Sequence, residues 1–390
     1  MYGAELILAL RRTWPQNPVE LRSGQALAAV PTQVPNDLTT LEFFGVGGDR
    51  MRAAGCDTVV DAKELAVVGI TEILSRLPRI LRLYRQLIAE ADKRRPDLAI
   101  VIDSPAFNWR VARQMKRRGI PTVYYVAPQF WAWRQGRVRL LRDYIDKALV
   151  IFPFEEKFYR ERGVDATFVG HPLAELPHPE IERGDYAAQF HLDSAKQWIT
   201  LMPGSRVKEV RMNLPTILEA SDRLDSGYEF LLPVAPTLDR SFLQNLLGAR
   251  KITLVNDALP ALWHSRAGIV ASGTATVEAA MMNTPFVMVY RVSPLTYMLG
   301  KPRVKVPRFA MVNLIAEEEV VPELVQQDFT AENVVSRLQE ILADGAARDC
   351  MLEGLARVKA RLRPPDTSSG AIQHPADWAA DIILSMCPKR

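Results

Sequence analysis

Ala271-Ser272-Gly273-Thr274-Ala275-Thr276-Val277-Glu278-Ala279-Ala280 lies between two apolar runs, Ala267-Gly268-Ile269-Val270 and Pro285-Phe286-Val287-Met288-Val289-Tyr290. The pattern predicts a strand, a tight Gly/Thr turn, a helix and a second strand. Such a turn leaves the first N–H groups of the helix aimed beyond the strand end, where an anion can be held without a cationic side chain. A phosphate or diphosphate fits; an ordinary turn capped by Ser272 or Thr274 fits as well.

Outward from this stretch the same grammar repeats. Strands are expected near 198–202, 229–234, 252–255, 267–271 and 285–290, and in the first half near 41–46, 57–61, 98–103, 121–127, 147–152 and 166–170. Strands alternating with helices imply parallel sheets joined by helical crossovers. The expected architecture is therefore α/β: two Rossmann-like halves facing a cleft. Their expected bounds are 1–172, a proline-rich linker 173–195, a second domain 196–340, and helices 341–390 returning to the first domain. The 390 residues are enough for two such cores. Residues 14–40, with Pro15, Pro18, Pro31 and Pro35, read as a long surface loop.

Composition excludes several classes. No run approaches the roughly 18 apolar residues of a spanning helix. Cys56, Cys350 and Cys387 are far apart and odd in number, which argues against a disulfide framework or a thiolate metal site. With neither a signal peptide nor a targeting tail in the pattern, a cytoplasmic location is the expectation. Residues 1–172 carry 26 Lys/Arg against 19 Asp/Glu, and residues 173–390 carry 23 against 26. A basic first half suits an anionic partner: a membrane surface, a phosphorylated substrate or nucleic acid.

Ligands of open parallel sheets bind beyond the carboxyl ends of the strands, so the post-strand residues are the site candidates. Asp103, in Asp103-Ser104-Pro105, is either a general base or a helix cap. In Pro203-Gly204-Ser205-Arg206, Gly204 permits close approach of a phosphate. Ser205 supplies a donor there and Arg206 a bidentate fork; alternatively this is an exposed turn with a solvent-facing arginine. Ser272, Gly273 and Thr274 form the opening turn, and Glu278 one turn later suits ribose hydroxyls or an ion pair. His171, where the first half ends, is a substrate-positioning group or a linker histidine.

Two segments suit a greasy, anionic partner. Trp131 and Trp133 stand with Arg134, Arg137 and Arg139. In 64–95, Leu77, Ile80, Leu81, Tyr84, Leu87 and Ile88 make an apolar stripe beside Arg76, Arg79, Arg82 and Arg85. That stripe reads as core under a solvated face, or as a surface meeting anionic lipid. Residues 291–316 contain five Lys/Arg and no acid among apolar residues. Basic residues interrupted by aliphatics favour lipid over single-stranded nucleic acid.

Taken together, several motifs resemble the lipid-A-disaccharide synthase family. They are Gly47-Gly48 with Arg50-Met51, Ile102-Asp103-Ser104-Pro105 with Phe107-Asn108, Trp131-Ala132-Trp133-Arg134, Pro153-Phe154-Glu155 and Phe168-Val169-Gly170-His171-Pro172. With them come Met202-Pro203-Gly204-Ser205-Arg206 with Glu209-Val210, Ser272-Gly273-Thr274-Ala275-Thr276 with Glu278, Tyr290-Arg291 and Asn313-Leu314-Ile315-Ala316. The resemblance implies a GT-B, inverting glycosyltransferase needing neither metal nor cofactor. It implies UDP-2,3-diacylglucosamine as donor, 2,3-diacylglucosamine 1-phosphate as acceptor, and a seat on the inner face of the inner membrane. UDP would lie among Gly204, Ser205, Arg206, Ser272, Gly273 and Thr274, with Glu278 on the ribose and Asn313 assisting. Asp103 would be the base. A homodimer is among the assemblies it allows, and nucleic acid is not an expected partner. Family members open with a strand and a Gly-Glu-Ala-Ser-Gly-Asp loop ahead of the helix that starts here near Gly3, so an upstream start is expected. The rivals are another UDP-sugar GT-B enzyme, such as a UDP-N-acetylglucosamine transferase or 2-epimerase, and a non-catalytic membrane-binding relative.

Overall fold

A computed structural model describes residues 2–14, 41–65, 70–293, 297–298, 306–364 and 374–387 of the chain. All of the expected loop 14–40 after Trp14 falls outside the described residues, as do Lys301, Arg303 and Lys305 of the acid-free segment, most of the 363–370 break and the side chain of Arg76.

The second half forms one six-stranded parallel sheet. Its strands are β7 (Gln197–Met202), β8 (Tyr228–Pro233), β9 (Ile252–Val255), β10 (Ala267–Ala271), β11 (Phe286–Tyr290) and β12 (Glu323–Val325), in the order β12-β11-β10-β7-β8-β9. The four inner strands are almost wholly apolar, as strands covered by helices on both faces must be; β10 and most of β7 and β11 are buried. The direction of strand succession reverses between β7 and β10, which pair directly from Ala267↔Ile199 to Val270↔Met202. That reversal opens a crevice at their carboxyl ends.

The first half is not one sheet. β3 (Ala99–Ile102), β4 (Thr122–Tyr125), β5 (Lys147–Val150) and β6 (Ala166–Phe168) pair in sequence order, while β1 (Phe43–Gly47) and β2 (Cys56–Asp61) pair only with each other. A helix over Tyr2–Thr13 joins the two pieces by packing instead of ladder bonds. Its Ala4 and Ile7 bury against Ala54 and Cys56, and its Leu6, Ala9 and Leu10 bury with Val123, Tyr125 and Leu149. Gly3 sits in the seam, where a Cβ would lie 2.8 Å from Met51 Sδ.

The expected return of 341–390 to the first domain requires correction. The helix Ala346–Arg361 stays with the second core through Met351, Leu355 and Val358. Only the last helix, Pro375–Ser385, returns, placing Ala376, Ala379, Ala380 and Ile383 against Leu6, Ala9 and Leu10. The two halves are joined twice at one place. The outgoing chain at Gly170-His171 meets the incoming chain at Leu362–Pro364, with His171 N–H donating to Leu362 O at 2.8 Å. Gly170 has φ +88°, and a Cβ there would stand 2.9 Å from Pro364 N; both facts require glycine.

Candidate functional site

At the carboxyl end of β10, Gly273 (φ +136°) is the N-cap of the helix Thr274–Met281, and no side chain caps that helix. Neither Ser272 nor Thr274 plays that part. Ser272 Oγ instead donates to Phe309 O at 2.9 Å, and Thr274 is exposed. The helix start therefore points its N–H groups into the crevice uncapped. Glu278 is half-buried, and burial holds its carboxyl above the usual carboxylate range.

At the end of β7 the donors are present but engaged. Glu209, in the first turn of the helix Val207–Asp222, accepts from Ser205 N at 3.1 Å, Arg206 N at 3.3 Å and Arg206 Nη1 at 2.6 Å. Gly204 has φ +121°, and a Cβ on it would fall 2.8 Å from the Glu209 carboxylate. Arg206 is otherwise exposed.

Asn213 and Asn313 hold these loops from behind. Asn213 is buried; its Nδ2 donates to Pro203 O at 2.9 Å and its Oδ1 accepts from Arg291 N at 3.0 Å, tying the β7 loop to the end of β11. Arg291 is fixed by Thr216 Oγ1 at 2.6 Å and by the carbonyl of Phe329. Asn313 is fully buried. Its Oδ1 accepts from Val320 N at 2.8 Å and Val321 N at 3.0 Å, and its Nδ2 donates to Val321 O at 2.8 Å and Glu323 Oε1 at 2.9 Å. All four of its hydrogen-bonding positions are used, so it supports the crevice and does not line it. Glu323 in turn accepts from Phe309 N at 2.8 Å and Ala310 N at 2.9 Å, fixing the carbonyl that receives Ser272. Asn213 and Glu323 were not singled out from the sequence, and Glu209 entered only as a member of the 202–210 motif, without a role. Their signal is only a polar residue at a core-facing position of a helix or beside a short strand, which periodicity alone does not distinguish from a tolerated exception.

In the first half, Asp103 stands at the end of β3 with φ +47°, followed by Ser104 at φ +44°. Two consecutive non-glycine residues in the left-handed region are strained, and such strain collects at functional sites. The turn is held through the Asp103 carbonyl, which accepts from Tyr124 Oη at 2.5 Å and Asn108 Nδ2 at 2.5 Å. Ser104, not Asp103, is the N-cap of the next helix, and it makes no side-chain cap bond. The Asp103 carboxylate is exposed, and no described hydrogen bond or ion pair engages it.

His171 is buried, packs on Phe152 with ring centroids 5.1 Å apart, and its Nδ1 accepts from Leu173 N at 3.0 Å. Burial lowers its pKa to about 4. It is a buried, neutral histidine of the crossing. Trp131 also needs correction as a membrane contact: it is buried, and its Nε1 donates to Glu155 Oε1 at 2.7 Å. Glu155, fully buried, also accepts from Ile151 N at 3.2 Å and Phe152 N at 3.1 Å, yet burial still pushes its pKa up to about 7. Trp133 is 49% exposed with Arg134 stacked 3.8 Å over its ring. On the helix Ile70–Arg94 the stripe divides. Tyr84, Leu87 and Ile88 pack on the core, whereas Leu77 and Leu81 are both exposed. Beside them Arg79 pairs with Glu64 at 3.0 Å and Arg82 faces solvent.

His171 and Glu155 oppose each other in pH. A carboxyl raised from 4.5 to about 7 binds a proton in the folded state that the unfolded state has released, so its contribution falls as pH rises through that window. A histidine lowered from 6.5 to about 4 does the reverse, losing stability as pH falls through its window. His171→Asn should expose the Glu155 slope. Urea midpoints of the variant should decline from about pH 4.5 to 7 more steeply than those of the parent; parallel curves would refute this assignment.

Among the described residues no group of three or more His, Cys, Asp or Glu gathers as a metal site, and no helix is long and apolar enough to cross a membrane. The Lipid-A-disaccharide synthetase family matches residues 20–364. A lipid-A-disaccharide synthase of Koribacter versatilis is 48% identical over 100% of this chain and 96% of its own length. One of Acidobacterium capsulatum is 49% identical over 84% of this chain and 86% of its own. Among solved structures, the glycotransferase of kitacinnamycin superposes with a TM-score of 0.59 over 99% of this chain and 95% of its own at 14% identity, a likeness of fold. The GT-B architecture, the crevice between β7 and β10 and these identities give one conclusion: the chain belongs to the lipid-A-disaccharide synthetase family.

Proposed function

We propose that the chain transfers the sugar of UDP-2,3-diacylglucosamine to the 6-hydroxyl of 2,3-diacylglucosamine 1-phosphate, giving UDP and the β-1,6-linked disaccharide phosphate. One observation carries the placement of the donor: the post-strand loops 203–206 and 272–274 stand on adjacent strands at the reversal of the second sheet. In this reading the diphosphate lies between Gly204-Ser205-Arg206 and Ser272-Gly273-Thr274, and Glu278 receives the ribose hydroxyls. The glycosidic C1–O bond breaks with its electron pair leaving on UDP, and helix N–H groups with Arg206 stabilise the growing charge. The acceptor oxygen forms the new bond to C1 from the opposite face, and Asp103 takes its proton. Asp103 suits that role because its carboxylate is unengaged and held at a strand end by a strained turn. The acyl chains and the inner-membrane face would meet the first half, a reading supported by exposed Leu77 and Leu81 beside Arg79 and Arg82 on one helix and by exposed Trp133 beside Arg134 elsewhere in that half.

The deciding experiment supplies the diacylated acceptor with either UDP-2,3-diacylglucosamine or UDP-N-acetylglucosamine and follows UDP release. Turnover of the diacylated donor is expected. Turnover of the unacylated sugar alone would replace this reading with that of another UDP-sugar enzyme.

A further inference from the structure

The Glu209 carboxylate sits where the proposed donor's phosphate would sit. It takes two backbone N–H groups and one guanidinium N–H at the end of β7 with N···O distances of 3.1, 3.3 and 2.6 Å. Two anionic oxygens filling a helix N-terminus and an arginine fork is the arrangement that a phosphate makes with the same groups. The glycine before it leaves no room for a side chain: a Cβ on Gly204 would lie 2.7 Å from Glu209 Cβ and 2.8 Å from its Oε2. The charged group is not sealed in. About a third of its side-chain surface is exposed (32%), and that of Arg206 is 78% exposed, so the glutamate can swing to water by rotating its side chain. Tyr290 faces the same pair from β11; its phenol is raised first by burial, then by the charge of Glu209, against Arg206.

We infer that Glu209 is a resident stand-in for the donor's diphosphate: it holds the 204–206 loop and Arg206 in binding shape while the crevice is empty, and a nucleoside diphosphate binds by displacing it. This rests on the proposed placement of UDP. A diphosphate and the Glu209 carboxylate cannot share these donors, because each N–H is spent once and like charges at contact distance repel. Arrival of UDP therefore transfers Ser205 N, Arg206 N and Arg206 Nη1 from carboxylate to phosphate. Return of Glu209 to them favours departure of UDP after transfer.

The test is calorimetric binding of UDP and of uridine to the parent chain and to Glu209→Gln and Glu209→Ala, with thermal melts confirming that each variant is folded. Removing the competing charge should tighten UDP by about two- to five-fold, the range of a partly exposed charge pair, and leave uridine unchanged. A residue that only caps its helix would instead weaken UDP or leave it alone when removed. If the parent binds UDP and both folded variants bind it no more tightly, the stand-in role is overturned and the UDP site stands. If the parent does not bind UDP, the placement of the donor fails and this inference with it.

Discussion

Asp103→Asn should lower kcat by about 10²- to 10⁴-fold, the span expected for loss of a general base, while UDP binds as before and the chain melts at an unchanged temperature. Asparagine is the right replacement because the position holds φ +47°. Asn and Asp tolerate the left-handed region best, whereas alanine there adds roughly 1 kcal/mol of strain that would blur the result. The bonds that hold the turn go to the Asp103 carbonyl from Tyr124 and Asn108, and the substitution leaves them in place. The side chain itself is exposed and engaged by no described partner, so stability should move by less than about 0.5 kcal/mol. Initial rates of UDP release with both acylated sugars give kcat, and calorimetry gives the UDP affinity. A variant with full activity removes Asp103 from the chemistry.

Asn313→Ala should act through the other link of the chain, from packing to site. The substitution removes two donated and two accepted hydrogen bonds from a fully buried amide. It strands the N–H groups of Val320 and Val321 and the carbonyl of Val321. At about 1–3 kcal/mol for each orphaned buried group, partly recovered by relaxation, the second half should lose about 3–5 kcal/mol. A melting temperature lower by roughly 10 °C corresponds to that loss. Asn313→Asp should be at least as damaging, because it sets a second carboxylate 2.9 Å from Glu323 Oε1. Any enzyme that remains should show a raised KM for the UDP-sugar, since Glu323 would hold Phe309 and Ala310 less firmly against Ser272. An unchanged melting temperature with lost activity would mean that Asn313 touches substrate directly.

Much of the architecture was legible because parallel α/β sheets write themselves in apolar runs. The expected strands at 198–202, 252–255 and 267–271 are found at Gln197–Met202, Ile252–Val255 and Ala267–Ala271. β12 was not expected: three residues, Glu323–Val325, carry too few alternations to register as a strand. The division of the first half into two sheets was also hidden, because each strand's own pattern says that it is buried and not which strand lies beside it. At the site, the glycines and the exposed loop residues were legible through turn chemistry. The supports Asn213 and Glu323 were not, since a buried polar side chain is justified only by partners distant in sequence; Glu209 was visible as a motif member, but its grip on Ser205 and Arg206 was not. Trp131 shows the converse. In sequence it stands beside Trp133 and three arginines, but a buried carboxylate 24 residues away takes its indole N–H.

The double join at Gly170-His171 and Leu362–Pro364 limits how the halves can move. A single connecting segment would let one lobe swivel freely on the other, but here two segments cross side by side and are pinned by the His171 N–H to Leu362 O bond. Sliding one segment of the crossing along the other would break that bond and press Pro364 against Gly170, where there is already no room for a Cβ. On the proposed assignment of the sites, a closure hinged at this crossing would carry the Asp103 turn of one lobe toward the loops 203–206 and 272–274 of the other along a restricted path.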